Sequence, residues 1–152
     1  MEVTVVRHGT AEDRARSDAE RALTAVGRDE SERAGDRVAA AGTPVDSIIA
    51  SPYLRARQTA ALVAERLGFQ GPIVIDEALC PEASPAVVRD LLASLSGRRH
   101  VILVAHEPIL SGVCELLLRK TVAPLGRAEV LSMGTSIPHS FDPGDFELRF
   151  RS

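Results

Sequence analysis

Short apolar runs alternate along this chain with longer stretches whose apolar positions recur at helical spacing. Glu2–Val6 reads as a strand, and Glu12–Arg21 as a polar, irregular stretch. Thr24 is placed to cap a helix running to about Ala41, with Gly42 just beyond it. Ser47–Ala50 reads as a short buried strand, followed by Ser51-Pro52 as cap and first helical residue of a helix that Gly68 closes. Pro72–Ile75 reads as a further short strand. Ser84-Pro85 repeats the cap-and-proline start, with Gly97 ending that helix. Val101–Ala105 is continuously apolar, as strands inside parallel sheets are, and Pro108 to about Arg119 reads as helix. Glu129–Met133 and Phe146–Arg151, separated by Gly and Pro, read as a terminal hairpin or edge pair.

Strands alternating with helices predict right-handed crossovers and a mostly parallel central sheet flanked by helices, a three-layer α/β sandwich. No linker, repeat or low-complexity tract divides residues 1–152, which suits one domain.

Composition narrows the function classes. A net charge of −3 argues against a nucleic-acid or anionic-membrane surface, and aromatics at 3% leave nothing for a base-stacking platform. No apolar run approaches the roughly 20 residues that span a bilayer. The start of the chain lacks the plan of a signal peptide, so a cytoplasmic protein is expected. Cys80 and Cys114 match no metal or redox spacing and are expected to be free thiols. All but one of the 18 basic residues are arginine, the side chain best shaped for bidentate phosphate contacts.

Ligands of open parallel sheets bind beyond the carboxyl ends of the strands. Three segments bring chemistry to that edge. The first strand runs out into Arg7-His8-Gly9, the second into Ser51-Pro52-Tyr53-Leu54-Arg55, and Val101–Ala105 into His106. Taken singly, His8 fits a turn, Arg55 a solvated helix start and His106 a cap or core position. Arg55, however, is a cation at the positive end of a helix, a placement that an adjacent anion would explain. Together the residues suit phosphoryl transfer. A neutral His8 imidazole is a nucleophile for phosphorus, and nearby arginines favour the neutral form. Arg7 and Arg55 would clamp the equatorial oxygens, with His106 as a further donor. Gly9 would let the backbone approach the phosphate. Nothing in the set calls for a metal or cofactor.

These residues resemble the histidine phosphatase superfamily, whose signature is Arg-His-Gly after the first strand, and within it the small bacterial phosphohistidine phosphatases of the SixA type. Ser51-Pro52-Tyr53-Leu54-Arg55-Ala56-Arg57-Gln58-Thr59 is similar to their Ser-Pro-aromatic-Leu-Arg-Ala-x-Gln-Thr segment. Arg21-Ala22-Leu23-Thr24 with Gly27 is similar to their Arg-x-Leu-Thr-x-x-Gly, and Val104–Pro108 to the block around the second histidine. Thr10 stands where these relatives often carry an acidic residue. The resemblance spans residues 1 to about 120. It implies a phosphoglycerate mutase-like fold, His8 as nucleophile, Arg7, Arg55 and His106 completing the phosphate pocket, and Arg21 as an additional pocket residue.

An alcohol leaving group needs a proton, and Glu82, with Glu77 and Asp76 beside it, is the candidate acid; Glu107 is nearer the pocket in sequence. A phosphoramidate needs less help, because imidazole leaves more readily than an alkoxide. A chain this short also lacks room for a large lid. Both points favour a phosphorylated protein, such as a histidine phosphotransfer domain, over a small phosphorylated molecule. A non-catalytic phosphate-binding module is the remaining alternative, and it would need only the arginines. His100, after Arg98-Arg99, is expected to be solvated; His139 has no evident partner; Cys114 belongs with core residues; Arg57 and Arg66 decorate an outer helix face.

Overall fold

The computed structural model describes residues 1–152. Six strands form one sheet: β1 (Glu2–Arg7), β2 (Ser47–Ala50), β3 (Ile73–Ile75), β4 (His100–Ala105), β5 (Val130–Gly134) and β6 (Glu147–Arg151), in the spatial order β3-β2-β4-β1-β5-β6. The first four strands are mutually parallel, whereas β5 runs antiparallel to β1 and β6 antiparallel to β5. The C-terminal segments are therefore an edge pair, as expected, and β5 also sits directly beside β1.

Helices α1 (Ala25–Ala40), α2 (Leu54–Leu67), α3 (Pro85–Ser94) and α4 (Ile109–Leu118) complete the three layers. The period of two in the strands divides the core. Val3 and Val5 of β1, with Val101, Leu103 and Ala105 of β4, face α3 and α4. Val6, Ile102 and Val104 face α1 and α2. Both sides of β4 are apolar and buried, which is why it reads as an unbroken hydrophobic run.

Local signals are obeyed at most helix ends. Thr24 Oγ1 accepts from Gly27 N, Ser84 accepts from Val87 N, and Gly68 ends α2 in the left-handed region. Two expectations are corrected. Helix α2 begins at Leu54 after Tyr53, and Ser51-Pro52 lies in the preceding turn. Ser51 Oγ accepts from Tyr53 N at 3.3 Å and makes its shorter hydrogen bond, 2.8 Å, with His106 Nε2. Helix α3 ends at Ser94, before Gly97, with Leu95 as its last half-turn.

His100 is a third correction. Its ring is buried, with Nε2 2.8 Å from Thr4 Oγ1 and Nδ1 3.3 Å from the Thr43 carbonyl. Strand β4 starts one residue earlier than its apolar run suggests, because His100 pairs in parallel with Glu2 and turns its side chain inward. Cys80 and Cys114 are free and buried, and desolvation pushes their thiols up to about 11 and about 12. No helix is long and apolar enough to cross a membrane.

Candidate active site

The sheet register assembles the site. Arg7 of β1 pairs with Ala105 of β4, and Val104 of β4 with Ala50 of β2. The residues just past those pairs, His8, His106 and Ser51, therefore emerge side by side at the carboxyl edge. His8 and His106 have ring centroids 5.1 Å apart, and Tyr53 packs edge-on against His106 at 5.1 Å. Helix α2 brings Arg55 to the same place, its guanidinium 5.0 Å above the Tyr53 ring.

His8 is held in one tautomer. Its Nδ1 lies 2.8 Å from the Gly9 carbonyl, which can only accept, so Nδ1 carries the proton. Nε2 then bears the lone pair, and it accepts from Arg55 Nε at 3.3 Å. Burial lowers the ring's pKa to about 4; Arg55, Arg7 and Arg21 push the same way, against the Gly9 hydrogen bond. Burial, with His8 and Arg55 nearby, takes His106 to about 3. Both rings are neutral at physiological pH.

The remaining donors are partly used. Arg7 Nη1 donates to the Leu125 carbonyl at 2.8 Å, and its Nε is buried without a partner. His106 Nε2 shares a 2.8 Å hydrogen bond with Ser51 Oγ, while its buried Nδ1 is also unpartnered. Buried polar atoms without partners are rare, and two of them beside a positively charged pocket suit an anion. Arg55 donates from Nη1 to the Asp18 carbonyl oxygen at 2.7 Å and from Nη2 to Asp18 Oδ2 at 3.2 Å. Asp18 is thus the anion that makes a cation tolerable in the first turn of α2.

A pocket of about 240 Å³ is walled by charged and polar side chains, Arg7, His8, Asp13, Arg21, Arg55, His106, Glu107 and Arg127. It is polar and unlike an apolar ligand cleft. A larger hollow between the end of α1 and the end of α2 has none of these groups and lies at the other end of the sheet.

Arg7, His8, Arg55 and His106 meet as the strand ends suggest, and Arg21 joins them. Gly9 does not line the pocket. Its tight packing is against α1, where an added Cβ would strike the Gly27 carbonyl, while its N–H donates to Thr59 Oγ1 at 3.1 Å. Thr59 and Gln58, which accepts from Leu23 N at 2.7 Å, thus tie the loops after β1 to α2. Glu82 is exposed and outside the pocket wall. Asp76 caps a 3-10 turn, and Glu77 accepts from the Cys80 thiol. Two carboxylates do reach the pocket: Asp13, and Glu107, which accepts from Ser111 N, Ser111 Oγ and Leu125 N.

Sequence reasoning missed Ser51, Asp13, Asp18 and Arg127. Ser51 carried a signal, since it precedes the Arg55 segment, but it was read as a helix cap. Asp13 and Asp18 lie in a stretch crowded with charge, where nothing local separates them. Arg127 reaches the site only because β5 lies beside β1, where Ala128 N donates to the His8 carbonyl.

The profile of the histidine phosphatase superfamily (branch 1) matches residues 3–80. The chain is 31% identical over 111 residues to phosphohistidine phosphatase SixA of Escherichia coli K12, which covers 72% of this chain and 69% of that protein. It is 32% identical over 83 residues to the mitochondrial serine/threonine-protein phosphatase Pgam5 of Drosophila simulans, covering 55% of this chain but only 29% of that one. Among solved structures, the protein histidine phosphatase SixA complexed with tungstate aligns with a TM-score of 0.88 and 26% identity over 99% of this chain and 96% of that one. Mycobacterial glucosyl-3-phosphoglycerate phosphatase aligns with a TM-score of 0.77 and 17% identity over 97% and 96%, a likeness of fold.

Proposed function

This chain belongs to the histidine phosphatase superfamily, and on that footing we propose that it is a metal-independent phosphohistidine phosphatase acting through a phosphorylated His8. The observation that carries the reading is the His8 ring itself. Nδ1 is held by Gly9, and Nε2 offers its lone pair beside Arg55 in a pocket that also holds Arg7, Arg21 and His106.

In the first step the Nε2 lone pair forms a bond to phosphorus while the bond to the leaving group breaks. Arg7 and Arg55 carry the charge on the phosphoryl oxygens, and His106 Nδ1 is available as a donor once Ser51 donates to Nε2. In the second step water forms a bond to phosphorus, the P–N bond breaks with its electron pair returning to His8 Nε2, and phosphate leaves carrying the protons of the attacking water, which it then shares with solvent. The arginines supply the positive charge that a metal would otherwise provide.

Substrate choice follows from the leaving group. A phosphoimidazole protonated at its far nitrogen departs as neutral imidazole, so it needs no acid from the enzyme. Glu82 is outside the pocket and both oxygens of Glu107 already accept hydrogen bonds, which leaves the exposed Asp13 as the only lining carboxylate not already engaged, whereas a phosphoramidate needs no acid at all. This favours a phosphohistidine on a signalling protein, such as a histidine phosphotransfer domain, over a small phosphomonoester. Two free thiols fit a reducing cytoplasm. Turnover on a phosphohistidine protein, measured against a panel of sugar and nucleotide phosphates, tests the reading. It expects the phosphoramidate to be preferred in kcat/KM and activity to survive chelators. Preference for a sugar phosphate, or full activity in His8→Ala, would overturn it.

A further inference from the structure

Asp18 approaches the site from outside it. The pocket wall includes Arg21 and Arg55 but not Asp18, which lines a neighbouring shallow cavity together with Arg14 and Ser17, and with Asp13 and Arg21, which line both. From there Asp18 Oδ1 accepts from Arg21 Nη1 at 2.7 Å, and Oδ2 accepts from Arg55 Nη2 at 3.2 Å. Its carbonyl oxygen accepts from Arg55 Nη1 at 2.7 Å. One residue thus bridges two guanidinium groups that would otherwise repel. The hydrogen bond from Arg21, above all, holds the Asp18 carboxyl below its ordinary range, so the bridge stays charged at neutral pH.

Counting donors shows what this leaves. Arg55 spends Nε on His8 and one N–H of each terminal nitrogen on Asp18, so two of its five donors stay free. Arg21 spends Nε on the Glu12 carbonyl and one N–H of Nη1 on Asp18, leaving three. A fork that is already immobilised loses less entropy when an anion binds.

We propose that Asp18 is a positioning residue: its carboxylate fixes Arg21 and Arg55 as one rigid unit whose unused N–H groups serve the phosphoryl oxygens. The proposal rests on the phosphatase reading given above.

Titration calorimetry of the whole protein with tungstate, alongside KM and kcat, tests it in wild type, Asp18→Asn and Asp18→Ala. In Asp18→Ala the tungstate Kd is expected to rise roughly tenfold or more, as loss of charge-assisted hydrogen bonding implies. Asp18→Asn, which keeps one acceptor oxygen, should fall between, and KM should rise with Kd while kcat changes less. A merely structural loss would lower the number of competent sites and leave Kd and KM alone, and that result overturns the proposal. So would an unchanged Kd. Tighter binding would also overturn it, by showing that Asp18 competes with the anion. Should Asp18→Ala fail to fold, Asp18→Asn decides by the same criterion. Failure of wild type to bind tungstate would instead count against the phosphatase reading.

Discussion

The tautomer and depressed pKa that suit His8 to the proposed role are both set by neighbours that a sequence only partly reveals. With its pKa lowered to about 4, chiefly by burial, the ring remains a free base until the pH falls through that value. The rate of His8 phosphorylation is therefore expected to hold down to about pH 5 and to fall near pH 4. A titration of the His8 ring by NMR checks this, and a midpoint near the ordinary 6.5 would contradict it. Arg55 touches both His8 and Asp18. Arg55→Ala should lower kcat/KM by about 10²–10³, as loss of a charged donor to the transition state does, with little change in fold by circular dichroism. The four central residues were legible because each follows a recognisable strand or opens a recognisable helix. Asp18 was not, since its partners lie across the fold and its own stretch reads as undifferentiated charge.

The elements that set the site are joined by close backbone packing. The turn after β1 lies against the start of α1, and a Cβ on Gly27 would overlap the Thr10 carbonyl oxygen, a backbone atom that cannot swing aside as a flexible side chain would. Gly27→Ala should destabilise the protein by about 1–3 kcal/mol in urea unfolding and loosen the His8 loop. Gly9 shows how a sequence reading finds the right residue for a different reason. The sequence suggested room for a phosphate, whereas the structure shows room for α1 and a carbonyl that orients His8. The turn before α2 differs in the same way. Ser51-Pro52 has the form of a helix start, but Ser51 is buried against His106, and tertiary hydrogen bonding outweighs the capping signal. Ser51→Ala would leave His106 Nε2 unsatisfied, at a cost of about 1–3 kcal/mol in the same unfolding measurement.

Over the whole molecule, alternation of strand and helix was enough to predict the three layers, because β1 and β4 carry apolar runs that only a doubly covered sheet satisfies. The order of strands was not legible, since it depends on contacts between distant segments; hence Arg127 and the burial of His100 were missed. The fold also links stability to pH. His8 and His106 have folded pKa values of about 4 and about 3, below the ordinary 6.5. Between those values the unfolded chain binds protons that the native one does not. Stability should fall as the pH drops from about 6.5 toward 4, by up to about 1.4 kcal/mol per pH unit for each histidine. Thermal unfolding at pH 7 and pH 5 measures it, and in His8→Phe the dependence should be shallower.

The central claim is that phosphate passes through His8. Rapid quenching of the protein with a radiolabelled phosphohistidine substrate, followed by alkaline digestion and peptide mapping, tests it most directly. The account predicts an acid-labile, alkali-stable label on the peptide containing His8, absent in His8→Ala. A label on another residue, or turnover in His8→Ala at the wild-type rate, would contradict it.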